Sequence, residues 1–214
     1  MFYRIATSIL LFELAFLVAT GANTLIFGDL RLLLFNILFV LWLGMESSRV
    51  KLGHSNAQTY GKFSRAFLVV SFGSILIAAW ERTAGYPIIK QPLPPLSIFI
   101  GLTLFMIGVF LRHLSIKQLG KYFVTKIQVT DDHKLVTEGI YRLLRHPSYT
   151  GLIFGFLGLI LFLQAGLAAT LFILIGIPAY IYRIKIEEYA LIKTFGEQYE
   201  SYREKSYALL PLIY

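Results

Sequence analysis

The chain has no cysteine among its 214 residues, which excludes disulfides, thiolate metal sites and a cysteine nucleophile. It carries no internal repeat and no low-complexity tract, so solenoid and linker architectures are set aside. Its four histidines include no set with the spacing of a metal site. His54 sits in a polar loop beside Ser55 and Asn56, and His113 stands next to Arg112 at the end of an apolar run. Both read as polar boundary residues, and a His133–His146 pair lacks a third ligand. The N-terminal apolar run does not read as a cleavable signal. It contains Glu13, and Ala19-Thr20-Gly21 leads into more apolar sequence.

What the chain has in abundance is apolar surface. Hydrophobic residues make up 57%, and the mean hydropathy is +0.68, above the ~45–50% apolar content of soluble domains. The expectation is an all-α integral membrane protein with about six helical segments, near 5–27, 32–45, 66–80, 96–111, 150–163 and 165–182. The last two form a tight hairpin joined at Leu163-Gln164-Ala165-Gly166. A single membrane domain, 1–214, is expected, with four N-terminal spans over 1–111 and a region bearing the chemistry over 112–214.

Net charge is +8, and its distribution is informative. If the N-terminus faces the cytoplasm, 17 of the 20 lysines and arginines fall in cytoplasmic segments, the asymmetry that orients membrane proteins. Only Arg31, Arg82 and Lys90 lie on the other side. Both termini are therefore expected in the cytoplasm. The basic balance reads as juxtamembrane charge, and no nucleic-acid partner is expected.

Two polar clusters fall on that same face. One is the run Asp132 to Tyr149, DHKLVTEGIYRLLRHPSY, directly before an apolar segment; the other is Arg183 with Glu187 and Glu188 beyond the sixth. Polar groups set against hydrocarbon are costly without partners and are functional candidates. Pro147 suits the first turn of a helix, and the amides after it would be free to meet an anionic group. An interfacial cap with snorkelling Arg and Tyr explains the same run. Arg183 and Glu187 share a helix face at i,i+4, which fits a surface salt bridge as well as a site. Glu13 and Asn23, in the first segment, are read as interhelical polar contacts or cavity-facing groups.

The pattern GKYF, Gln128, DHKLVTEGIYRLLRHPSYTG, an apolar hairpin and RIKIEEYALIKTFGEQYESYREKSYALLP resembles the isoprenylcysteine carboxyl methyltransferases over residues 112–211. The resemblance implies an S-adenosyl-L-methionine site. Gln128, His133, Lys134, Leu135, Val136, Tyr141, His146, Pro147, Ser148, Tyr149 and Glu187 match cofactor-contacting positions. Arg183 matches the arginine at the substrate end. The spacing between Gln128 and His133 is shorter than in the eukaryotic enzymes. The implied partners are a lipophilic or prenylated acceptor and the surrounding lipid, in a bacterial inner membrane or endoplasmic reticulum. The first three spans carry no matching motif. Three alternatives stay open. They are phospholipid N-methylation, NADPH-dependent sterol-type reduction (suggested by the RHP run and the ending LLPLIY), and a non-catalytic scaffold. A methyl transfer to carboxylate needs no general base, whereas an amine acceptor needs one, for which Glu188 and Tyr149 are the candidates. The tail from Phe195 to Tyr207 is expected to form an amphipathic surface helix over the cofactor.

Overall fold

The computed structural model describes residues 2–21, 29–49, 58–120 and 135–210. Among these the chain is helical, with a single isolated parallel bridge between Leu144 and Tyr207. The helices are α1 (Phe2–Ala19), α2 (Leu30–Arg49), α3 (Gln58–Thr83), α4 (Leu96–Leu119), α5 (Pro147–Phe162), α6 (Gly166–Leu171), α7 (Ile177–Phe195) and α8 (Glu197–Glu204). A 3-10 turn, Gly139–Arg142, precedes α5. A π turn, Phe172–Gly176, joins α6 to α7.

Among the described residues, two runs are long and apolar enough to cross a membrane, Leu96–Leu119 and the continuous Gly166–Phe195; Ile9–Ala19 and Pro147–Phe162 are shorter apolar helices. Leucines 10, 11, 14 and 17 of α1 are exposed. So are Phe99, Ile100, Met106 and Phe110 of α4, and Ile173, Leu174 and Ile175 of the π turn. Large exposed patches of this kind suit a lipid solvent. Lipid tails are as apolar as leucine, so helix association there relies on close packing and hydrogen bonds.

The closest packing is between α4 and α5. A Cβ added to Gly101 would lie 2.5 Å from the Gly158 carbonyl oxygen, and one on Gly108 2.5 Å from the Gly155 amide nitrogen. From the other side, a Cβ on Gly158 would meet the Phe105 nitrogen at 2.5 Å. Small residues on both helices let the two backbones touch, as in other membrane helix pairs. Gly155 makes room for Trp42 of α2, whose ring is 5.0 Å from Phe156 and 5.7 Å from Phe105. Phe12, Phe16, Phe35, Phe39, Phe72, Phe156, Phe172 and Tyr180 continue this aromatic core through the bundle.

At the end of the bundle where α5 stops, polar groups are capped by one another. The buried Glu81 carboxylate, 0% exposed, accepts the Leu167 and Ala168 amides at 3.0 and 3.1 Å. A carboxylate from α3 thus satisfies orphan donors at the start of α6. Arg82 donates to Asp29 at 2.7 Å and to Tyr86 at 2.9 Å. Gln164 ties the α5–α6 turn to Arg31 and to the Leu93 carbonyl. Asn36 donates to both Glu13 carboxylate oxygens at 3.3 Å, so Glu13 does join two helices. Asn23 and His54 lie outside the described residues.

Each expected segment overlaps a helix among the described residues, and positions 22–27 of the first lie outside them. The fourth runs on to Leu119, and the sixth is interrupted by the π turn. Pro178 supplies no amide to the turn before it, and a π turn is a common accommodation of such a break. Residues 124–129, whose weak alternation reads as a short extended stretch, lie outside the described residues.

Candidate functional site

Pro147 opens α5 as the sequence predicts. The amides after it differ from expectation. Those of Tyr149 and Thr150 turn back onto the His146 carbonyl at 3.0 and 3.1 Å. Both donors are satisfied within the chain, which removes the argument for an anion at those two amides.

The first turn of α5 instead presents Tyr149 to α7. Arg183 Nε donates to the Tyr149 hydroxyl at 2.7 Å, and that hydroxyl donates to Glu187 Oε2, also at 2.7 Å. The i,i+4 spacing of Arg183 and Glu187 puts both within reach of one phenol oxygen. The Arg183 guanidinium carbon lies 5.8 Å from the Tyr149 ring centroid, in cation–π range. Arg183 is 7% exposed and Glu187 half-buried. Tyr180 packs edge-on against Tyr149 at 6.2 Å and reaches Ser71 of α3 at 3.1 Å.

The adjacent Glu188 looks the other way. Arg145 Nε donates to it at 2.7 Å and Tyr199 at 3.4 Å. His146 Nε2 lies 3.3 Å from the same carboxylate, and Arg203 Nε lies 3.7 Å away. Arg145 also donates to the carbonyls of Arg203 and Ser206. Around this hub the segment after α8 is stitched to the start of α5. The Arg145 and His146 amides donate to Tyr207 and Ala208, and Thr150 donates to the Leu209 carbonyl at 2.7 Å. Gly196, at φ +51°, ends α7 and turns the chain into α8, a conformation glycine adopts without strain.

The connector into α5 is held from both sides. Gln118 of α4 donates to the Glu138 carbonyl at 2.7 Å and accepts the Ile140 amide at 3.1 Å. Gly139, at φ +57°, passes so close to that amide group that a side chain would collide with it. Tyr141 donates to the Ser115 carbonyl at 3.4 Å, and Tyr202 of α8 donates to the Tyr141 carbonyl at 2.5 Å. Burial raises the phenols of Tyr141, Tyr199 and Tyr202, the last to about 12, so all three are neutral donors at physiological pH. A cleft of about 710 Å³ opens between this connector and α8, lined by Leu135, Thr137, Arg142, Gln198 and Lys205 among others.

Of the residues expected from the sequence, Tyr149, Arg183 and Glu187 form one hydrogen-bonded chain, with Pro147 and Ser148 in the same helical turn. His146 faces Glu188, Tyr141 faces α4 and α8, and Leu135 and Val136 lie half-buried in the connector. Gln128, His133 and Lys134 lie outside the described residues. Among the described residues no His, Asp and Glu cluster could hold a metal.

One buried contact has no counterpart in the sequence reading. Arg112 of α4, 7% exposed, donates through Nε and Nη2 to the two oxygens of Glu46 on α2, at 3.0 and 2.8 Å. It donates through Nη1 to Ser148. The available signal was an arginine four residues after Gly108, on the face that α4 turns to α5.

Residues 100–193 match the isoprenylcysteine carboxyl methyltransferase (ICMT) family. A probable protein-S-isoprenylcysteine O-methyltransferase from Oryza sativa subsp. indica is 37% identical over 117 residues, 54% of this chain and 61% of that protein. The Schizosaccharomyces pombe protein-S-isoprenylcysteine O-methyltransferase is 38% identical over 109 residues, 50% of this chain and 46% of that protein. The aligned regions thus span about half of these relatives. A solved structure of the eukaryotic intramembrane Ras methyltransferase ICMT matches with a TM-score of 0.52 at 21% identity, covering 98% of this chain and 86% of that one. The resemblance read from the sequence is therefore the one these comparisons find, and the fold is shared across nearly the whole chain.

Proposed function

We propose that this chain transfers a methyl group from S-adenosyl-L-methionine to the carboxylate of a lipid-like acceptor, most simply an isoprenylcysteine, at the cytoplasmic face of a membrane that it crosses six times. The observation that carries the reading is the chain Arg183–Tyr149–Glu187 inside the matched segment.

The residue types fit both ligands. Glu187 presents an anionic oxygen beside the Tyr149 ring, a surface suited to a ligand bearing an ammonium and a sulfonium. Arg183 suits the acceptor, because a guanidinium forks onto carboxylate oxygens. Tyr149 bonds to both, so the cation meant for the acceptor and the anion meant for the cofactor are fixed one oxygen apart. When bound, S-adenosyl-L-methionine supplies a methyl group on a positively charged sulfur, which a carboxylate oxygen displaces in line with no proton to remove. The protein's contribution is then orientation and exclusion of water. Gln128, His133, Lys134, Leu135, Val136, Tyr141, His146, Pro147 and Ser148 complete the cofactor site in this reading. His146 and Tyr141 do so by holding its walls. Helix α8 closes over it, anchored on Glu188.

N-methylation of a phospholipid is the weaker reading on this geometry. Glu188 is taken up by Arg145 and its neighbours, and the Tyr149 hydroxyl is committed to Glu187, so neither is placed to accept a proton from an amine. The test is transfer of labelled methyl from S-adenosyl-L-methionine to S-farnesylcysteine in reconstituted membranes. The expected product releases its label as methanol in base. Base-stable label in phosphatidylethanolamine, with none in the farnesylcysteine, would overturn the carboxylate reading.

A further inference from the structure

We infer that Glu46, on α2 and outside the family match, is a positioning residue of the methyl-transfer site, acting through Arg112 on Ser148 and Tyr149. The inference rests on the reading proposed above for the reaction, and on geometry for the contact itself.

Three helices meet along one stripe. On α2, Trp42 and Glu46 are one turn apart and share a face. On α5, Ser148 and Gly155 are two turns apart and share another. Trp42 fills the notch left by Gly155, and Glu46 reaches Arg112, which reaches Ser148. On α4, Gly108 and Arg112 are one turn apart, and Gly151 of α5 packs directly on both. The carboxylate of Glu46 takes two of the guanidinium's donors, Nε and Nη2, at 3.0 and 2.8 Å. Two bonds to one carboxylate fix the plane of a guanidinium. The third donor is thereby directed at the residue preceding Tyr149.

A buried ion pair is a poor source of net stability, since desolvating two charges offsets much of their attraction. Its use here is directional. Loss of the Glu46 charge removes the two bonds that fix the plane of the Arg112 guanidinium, and with them the orientation of its contact with the first turn of α5, where Tyr149 meets Arg183 and Glu187. Misplacing a reacting group by an ångström costs up to about a hundredfold in rate.

The experiment compares wild type with Glu46→Gln and Glu46→Asp as full chains in lipid nanodiscs. Glu46→Gln should lower kcat for S-farnesylcysteine about tenfold, a larger loss than the accompanying fall in S-adenosylhomocysteine affinity. Glu46→Asp should recover part of the rate. The double variant Glu46→Gln/Arg112→Ala should be no slower than Arg112→Ala alone. Unchanged kcat, or equal losses in kcat and affinity, would overturn the positioning role. A second readout needs no acceptor. The fluorine resonance of a 3-fluorotyrosine incorporated at position 149 should move in both Glu46→Gln and Glu46→Asp. An unmoved resonance in the folded variants overturns the inference whatever the reaction. A moved resonance in a protein whose wild type methylates no farnesylcysteine would remove the proposed function and leave the positioning intact.

Discussion

The two ends of the bundle are both rich in polar groups, and they use them differently. Where α5 stops, buried and half-buried groups meet resident partners: Glu81 caps α6, Arg82 holds Asp29, and Gln164 bridges Arg31 and Leu93. Where α5 starts, Glu188 is equally saturated, yet its neighbour Glu187 is half-buried and shares a single phenol with Arg183. Charge at a membrane helix end is therefore no mark of function by itself. What separates the ends is a cation and an anion held apart by one hydroxyl, in place of a closed pair.

That contrast is broken most severely at Arg183. Arg183→Ala is expected to cut methyl transfer by about a hundredfold or more, equivalent to ~2.7 kcal/mol of transition-state stabilisation. Cofactor binding should stay near wild type, as read by single-turnover assays beside calorimetry. A parallel loss of cofactor affinity would move Arg183 to the other ligand.

Glu188→Ala should act on stability. Removing a carboxylate that four side chains address leaves the part-buried Arg145 without its ion-pair partner, a loss of about 1.5–3 kcal/mol. Thermal unfolding should fall, and limited proteolysis should cut between α8 and Leu209 faster than in wild type. Protection equal to wild type would remove Glu188 as the fastener of the tail.

At the opposite end, Glu81→Gln should cost about 1–3 kcal/mol, because a neutral amide cannot accept both α6 amides as well. Turnover at saturating substrates should hold, since the change is remote from Tyr149. A fall in turnover with unchanged stability would mean the two ends are coupled.

The smallest effect is at Asp29. Burial alone would raise its carboxyl, but the Arg82 hydrogen bond and charge outweigh that and hold it below the usual carboxylate value. A lowered native pKa contributes stability that is present at neutral pH and lost as pH falls through the acid range. The pair is part-exposed, so about 0.2–1 kcal/mol is expected. Arg82→Ala should flatten that part of the acid stability profile, and an unchanged profile would assign no weight to the pair.

Much of the candidate site's geometry was legible in the sequence because it is local. RHPSY states its own helix start, and Arg183 with Glu187 states a shared face. What was not legible depends on three helices meeting. Glu46 and Arg112 are 66 positions apart, and neither sits in a pattern that names the other. The glycines at 101, 108, 151, 155 and 158 spell close approach only once α4 and α5 are known to pair. Glu187 and Glu188 look alike in the sequence; the ~100° step between adjacent helical residues sends one to Tyr149 and the other to Arg145. The π turn replaced an expected unbroken span, because periodicity cannot register one added residue beside Pro178.

The most direct test of the central claim is calorimetric titration of S-adenosylhomocysteine into the folded, detergent-purified protein and into Glu187→Ala, with NADPH as the control ligand. The account predicts saturable binding to the wild type alone and none of NADPH to either. Equal affinity in the two proteins, or binding of NADPH in place of S-adenosylhomocysteine, would contradict it.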